Sequence, residues 1–269
     1  MRFSVPDYDE SINEKIKGVI LDFDGTLFNS IGIVFHVFAD SPFDSFHILK
    51  ERLVRRRFAG VDFLNADCYF NAFFSELTRK FRFPKGMISQ EKIEKQRKWY
   101  FENYMNCMIR VLKKHYNPRP GLEQLLSRMD SPLSPARAAI YSDYPLLKER
   151  MEALGLPPVK HIKLYGPESY GAQKPAARPF LEIADSLNLK PEEILVIGDR
   201  EDTDGAGAVN SGMCFYFLET RGKKFSRNRL KRGLENNIKT ELLNPKSGLN
   251  IYSGKWNDFL DKFMSRFNT

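Results

Sequence analysis

The sequence predicts a doubly wound α/β fold: a parallel sheet covered by helices on both faces, with a helical lobe inserted after the first strand. Three observations predict it. Short apolar runs recur along the chain, each bounded by turn residues or charges. Helical patterns separate these runs, and strands that alternate with helices assemble into a parallel sheet. One block, residues 31–117, breaks the rhythm with long helical patterns and no strand pattern.

The first strand is KGVILDF (17–23). The inserted block follows. Its clearest helix starts after Ser89 and runs through QEKIEKQRKWYFENYMNCMIRVLKKHY, with Tyr100, Tyr104, Met108 and Val111 at helical spacing. NPRPGL (117–122) breaks that helix and forms the return hinge. The second strand is ARAAIYS (136–142). The helix PLLKERMEALG follows, with Pro145 in its first turn and Gly155 at its end. Three more strands are HIKLYG (161–166), EILVIGD (193–199) and CFYFLET (214–220); helices are expected over 174–189 and 202–213. In the tail, KWNDFLDKFMSRF sets Trp256, Phe259, Leu260, Phe263 and Phe267 on one face, a helix docked on the body. The expected body is therefore 1–30 plus 118–269, and the lobe is 31–117.

Composition narrows the class. The chain has 269 residues, a mass of 31.2 kDa and 42% apolar residues, enough for a real core. MRFSVPDYDE lacks the basic start and apolar run of a signal peptide. No stretch approaches the roughly 18 apolar residues of a membrane helix. Cys68, Cys107 and Cys214 show no paired spacing, which fits free thiols in a reducing, cytoplasmic setting. The four histidines show no zinc-ligand spacing. The net charge is +8, but the segment RGKKFSRNRLKRG (221–233) holds seven basic residues and no acid, and without it the balance is +1. That segment reads as a flexible basic surface loop. Nucleic-acid binding is not expected, because Phe225 is its one aromatic.

The chemistry gathers at strand ends. Asp22 and Asp24 stand one residue apart where the first strand stops, with Gly25 supplying the turn. Two crowded carboxylates repel, and a hard divalent ion such as Mg²⁺ relieves that repulsion. A second strand ends in Asp199, Glu201, Asp202 and Asp204, and a third ends in Ser142 before a helix. Lys174 sits in a loop that opens a helix. Ligands of open parallel sheets bind at this edge. Carboxylates, a hydroxyl, a lysine and backbone N–H groups together suit a phosphate and its metal ion.

These residues carry a resemblance. DFDGTL, IYSDYP, Lys174 in QKPAARPF, and VIGDREDTDGAGAVNSGM stand in the order of the four motifs of the haloacid dehalogenase-like (HAD) superfamily. The helical insert resembles that family's helical-cap subgroup, as in phosphoglycolate-phosphatase-like enzymes with a Rossmann-like core. The resemblance implies a phosphatase acting on a small phosphorylated metabolite. Asp22 would be the nucleophile, and Asp24 the general acid and base, with its backbone carbonyl on the metal. Asp22, Asp24, Asp199 and Asp204 would hold Mg²⁺, with Asp202 competing for the last place. Ser142 and Lys174 would hold the phosphoryl oxygens, with Gly25, Thr26 and Asp143 lining the same site. Retention of Asp24 separates phosphatases from dehalogenases, whose halide leaving group needs no proton. Asp143 departs from the usual motif and reads more simply as a helix cap. A phosphomutase on the same scaffold and a non-catalytic polyanion-binding module are the alternatives. Arg52, Arg55, Arg56 and Arg57 read as a solvated helix face, with a substrate-facing patch as the functional alternative.

Overall fold

The computed structural model describes residues 14–79, 88–220, 223–235 and 251–265. The opening MRFSVPDYDE, Arg221 and Phe267 lie outside the described residues. Six strands among the described residues form one parallel sheet. They are β1 (Gly18–Asp22), β2 (Arg137–Tyr141), β3 (Lys163–Tyr165), β4 (Ile194–Gly198), β5 (Cys214–Leu218) and β6 (Ile251–Gly254). The order across the sheet is β3-β2-β1-β4-β5-β6, as expected of a doubly wound fold. Five strands are the apolar runs read from the sequence. The sixth, IYSG, is too short and mixed to carry a strand signal, and it forms by pairing with β5.

Alternation along each strand feeds two cores. Val19, Leu21, Ile140 and Ile197 point to one face. There they meet α6 (Leu122–Met129), α7 (Leu147–Ala153) and α11 (Trp256–Met264), whose Trp256, Phe259 and Phe263 are buried. Ile20, Ala139, Tyr141 and Val196 point to the other face, against Phe180, Ile183 and Leu187 of α8 (Ala177–Leu187). Every residue of β1, β4 and β5 is buried, which is why these strands read as continuous apolar runs.

The block after β1 folds as α1 (Ile33–Asp40), α2 (Ser45–Phe58), α3 (Ala66–Thr78), α4 (Gln90–Trp99) and α5 (Asn106–His115). These helices share a separate core rich in aromatic rings, including Tyr69, Phe73, Phe74, Tyr100 and Tyr104. The single helix expected after Ser89 is interrupted by a wide π-type turn at Tyr100–Met105. That turn buries Tyr100, Tyr104 and Met105 together, which an unbroken α spacing does not do. The two connectors to the body touch, with Phe28 and Pro118 bridged antiparallel. Ile33 and Tyr116 pack against both cores.

Two local expectations change. α7 begins at Leu147, after a left-handed Leu146 (φ 56°), so Pro145 precedes the helix and Asp143 does not cap it. The basic segment is not all loop: from Arg227 on it forms α10 (Arg227–Glu235), whose Leu230 and Leu234 are buried against Ala206 and Val209 of α9 (Ala206–Ser211).

Candidate active site

β1 lies between β2 and β4, so the C-terminal ends of these three strands deliver Asp22, Ser142 and Asp199 to one edge. Asp22 is buried at the end of β1, and the Thr26 hydroxyl donates to its Oδ2 at 3.0 Å. Gly25 has φ +92°, and a Cβ there would lie 2.7 Å from the Asp199 carboxyl carbon. Only glycine allows this turn to pass so close to the neighbouring acid. Arg119, at the return hinge, donates to the Thr26 carbonyl at 2.7 Å and to the Gly25 carbonyl at 2.8 Å, which fixes the turn from outside.

Asp22, Asp199 and Asp204 each place a carboxylate oxygen within 4.8 Å of the others. Lys174 Nζ bridges two of them, at 2.6 Å from Asp22 Oδ1 and 2.8 Å from Asp204 Oδ1. Burial first, then the negative charges of Asp204, Asp199 and Asp24, raise the Asp22 pKa well above the ordinary value, against the pull of Lys174. Burial pushes the Asp199 pKa up as well, while Lys223 opposes it. For Lys174, burial acts downward, but Asp204, Asp22 and Asp143 outweigh it and hold the ammonium well above its ordinary value. Of the two competing acids, Asp204 joins the cluster. Asp202 pairs instead with Arg200 at 2.9 Å on the surface.

On the other side stands a second charged knot. Asp24 binds the guanidinium of Arg150, which is fully buried. Arg150 Nη1 also donates to Ser142 Oγ at 2.9 Å, and Ser142 Oγ lies 3.3 Å from Asp24 Oδ2. The Arg150 guanidinium lies 4.4 Å from the centre of the Phe23 ring. Asp143 accepts from the Lys174 backbone N–H at 2.9 Å, so it anchors the lysine loop rather than α7. Its pKa is raised by burial, with Lys174 acting against that rise.

Four participants escape local sequence reasoning: Arg119, Arg150, Lys223 and the Glu201–Arg229 pair. Lys223 donates to Asp199 Oδ2 at 3.0 Å. Glu201 is fully buried and takes both arms of Arg229, at 2.8 and 2.7 Å. Arg150 left one signal. It shares the apolar stripe of Leu147, Met151 and Leu154, where an arginine has no reason to be unless a buried acid waits for it.

The trio fits a hard divalent cation. Three carboxylates are held together in a buried place where Lys174 and the partly exposed Lys223 bring two positive charges against three negative ones, and oxygen donors are what Mg²⁺ takes. In front of the trio opens a cavity of about 510 Å³, bounded by Asp22, Asp24, Asp143, Lys174, Arg56 and Arg232 among others. No helix among the described residues is long and apolar enough to cross a membrane.

Comparison with known proteins agrees with this geometry. A 46-residue stretch is 46% identical to a glyceraldehyde 3-phosphate phosphatase of Methanopyrus kandleri, covering 17% of this chain and a fifth of that protein. The fold is similar to that of a 2-haloacid dehalogenase from Pseudomonas syringae pv. Tomato, with a TM-score of 0.58 and 16% identity over 94% of this chain and 99% of that one. It is also similar to a predicted phosphoglycolate phosphatase from Haemophilus somnus, with a TM-score of 0.51 and 17% identity over 92% and 97% of the two chains. The family model for haloacid dehalogenase-like hydrolases matches residues 16–212, which span β1, the helical insert and every residue of the carboxylate and lysine cluster. The chain belongs to the haloacid dehalogenase-like hydrolases.

Proposed function

We propose that the protein is a Mg²⁺-dependent phosphatase that hydrolyses a small phosphorylated metabolite through an aspartyl-phosphate on Asp22. The observation that carries this reading is the pair of acids that line one cavity with different partners. Asp22 sits on Lys174 beside two further carboxylates, and Asp24 sits apart from that trio on Ser142 and Arg150. A dehalogenase has no use for the second acid. The 46-residue likeness to a phosphatase supports the same reading.

The cation, when bound by Asp22, Asp199 and Asp204 with the Asp24 carbonyl, offsets the charge of the phosphoryl group. Lys174 and Ser142 hold phosphoryl oxygens and orient phosphorus toward Asp22. A carboxylate oxygen of Asp22 attacks phosphorus, and the bond from phosphorus to the ester oxygen breaks. Asp24 gives its proton to the leaving oxygen. Asp24 then takes a proton from water as that water attacks the aspartyl-phosphate. Inorganic phosphate leaves, and Asp22 returns to its carboxylate form.

In this reading residues 1–30 and 118–269 are the catalytic core and 31–117 is a cap that closes the cavity. The three free cysteines support a reducing, cytoplasmic compartment. The test is release of inorganic phosphate from an aryl phosphate with Mg²⁺ present. Turnover is expected with the native chain and absent in Asp22→Asn. Transfer of phosphate to a second sugar without net release would favour a mutase instead. Turnover unaffected by Asp22→Asn would overturn the mechanism.

A further inference from the structure

The run of arginines on α2 divides by role. Arg57 points outward and pairs with Glu76 at 2.8 Å. Arg55 is a structural cation, bound to Glu51, to the Tyr100 hydroxyl at 2.8 Å and to the Asp143 carbonyl at 2.6 Å, with Tyr144 stacked 3.9 Å away. Arg52 and Arg56 remain. They are four residues apart, so they share one helix face, and both line the cavity. Across the opening, α10 brings Arg232 to the same cavity. None of these three has a hydrogen-bond or ion-pair partner among the described residues, whereas the cavity's fourth surface cation, Arg200, is paired with Asp202.

Three unpaired guanidiniums from two separate elements converge on one space. In the proposed reading the phosphoryl oxygens are held by Lys174, Ser142 and the cation, which leaves these arginines for the rest of the substrate. Nor does the space suit a phosphoryl group alone: about 510 Å³ has room for a whole small metabolite. The three guanidiniums are fork-shaped donors that match carboxylate and phosphate oxygens in pairs. An uncharged leaving group would leave them facing water alone.

We propose that the substrate carries a second anion, a carboxylate or a second phosphate, on the part that leaves, and that Arg52, Arg56 and Arg232 bind it in the cavity that Lys174 also lines. This inference rests on the phosphatase reading and narrows its substrate class. It also gives the basic segment a place in the site: Glu201 and Arg229 hold α10 on the core so that Arg232 reaches the cavity.

The experiment compares three series of alkyl phosphates, two to six carbons long: neutral at the far end, carboxylate-terminated, and bisphosphate. Leaving-group chemistry is matched within a chain length, so the ratio of kcat/KM between charged and neutral esters reads the far contact alone. At the best length this ratio is expected to be roughly tenfold or more, the scale of one charge-assisted hydrogen bond. Which of the two charged series leads tells carboxylate from phosphate. Arg52→Gln, Arg56→Gln and Arg232→Gln are each expected to lower the ratio at least about threefold, while Arg57→Gln leaves it in place. The ratio is insensitive to how much of a variant is folded. A ratio near one at every length, or a ratio that Arg57→Gln lowers as much as the cavity variants do, overturns the inference and leaves the phosphatase reading standing. Hydrolysis of none of the esters, and of no aryl phosphate, overturns both.

Discussion

Arg150, with no solvent exposure, places its guanidinium on Asp24 and on Ser142 at once. It ties the acid of the first strand to the hydroxyl of the second. An aspartate at a strand end has several rotamers, and this contact selects the one beside the phosphoryl pocket. In the proposed mechanism Arg150 is thus a positioning residue for proton delivery. Arg150→Ala is expected to lower kcat/KM for alkyl phosphates by about a hundredfold, within the usual range for general acid catalysis. The loss on p-nitrophenyl phosphate should be much smaller, because that leaving group departs with little help from a proton. Arg150→Lys should recover part of the alkyl activity. Equal losses on both esters would mean that Arg150 supports the fold alone.

The buried trio sets a conflict between stability and charge. Burial raises the Asp22 pKa above the ordinary value of 3.8, so the folded protein holds this proton more tightly than the unfolded chain does. Stability from this group is therefore greatest at low pH and falls as pH rises from 3.8 toward the raised value. In EDTA, Asp22→Asn is expected to be more stable than the native chain at pH 7.5, because it removes the buried carboxylate whose ionisation opposes folding. Its turnover should fall by more than about a thousandfold. Mg²⁺ at a hundred times its dissociation constant should stabilise the native protein by about 2.7 kcal/mol. Thermal midpoints with and without EDTA read the two stability effects and phosphate release reads the turnover, and a Mg²⁺-independent midpoint would remove the cation from the account.

What the sequence disclosed depended on how local each contact is. Asp22, Gly25, Ser142, Asp199 and Lys174 were legible because each sits at the end of an apolar run or the start of a helix. The sheet order then does the rest. Asp143 was misread because a capping prior looks a few residues ahead, while its partner is the backbone of Lys174, 31 residues away. Arg119 reaches across 94 residues to the Gly25 carbonyl, and no spacing rule spans that distance. The basic segment misled through composition. Its charge suggested a solvated loop, yet Leu230 and Leu234 lie four apart and bury one face of a helix.

Gly25 gives a steric prediction. A methyl group there would meet Asp199 at 2.7 Å, on a backbone with φ +92° that alanine resists. Asp199 must move, and it is a member of the carboxylate trio. Gly25→Ala is expected to weaken Mg²⁺ binding at least about tenfold by titration calorimetry, with stability reduced by roughly 1–3 kcal/mol. Arg119→Lys loosens the same turn while keeping the positive charge that Asp199 feels, so it should lower turnover while Mg²⁺ affinity changes little. If both variants weaken Mg²⁺ equally, the close approach of Gly25 to Asp199 is not what shapes the metal site.

The last prediction concerns Glu201, a fully buried acid two residues beyond Asp199. Its charge is met by the two arms of Arg229 and by the Ser226 backbone N–H at 2.7 Å. Glu201 is buried, whereas the Arg229 side chain is 35% exposed, so solvent screens part of the pair. Arg229→Met should therefore destabilise the protein, by less than the about 3–5 kcal/mol of a fully buried pair. Glu201→Met combined with Arg229→Met leaves no stranded charge and should recover most of the loss. In the single variant, α10 loses its tie to the fourth motif, and Arg232 with it. The preference for doubly anionic esters should then fall even at temperatures where the variant is fully folded. Chemical denaturation of the single and double variants, followed by the ester ratio of each, separates the two effects. If the double variant is as unstable as the single one, Glu201 and Arg229 do not act as a pair.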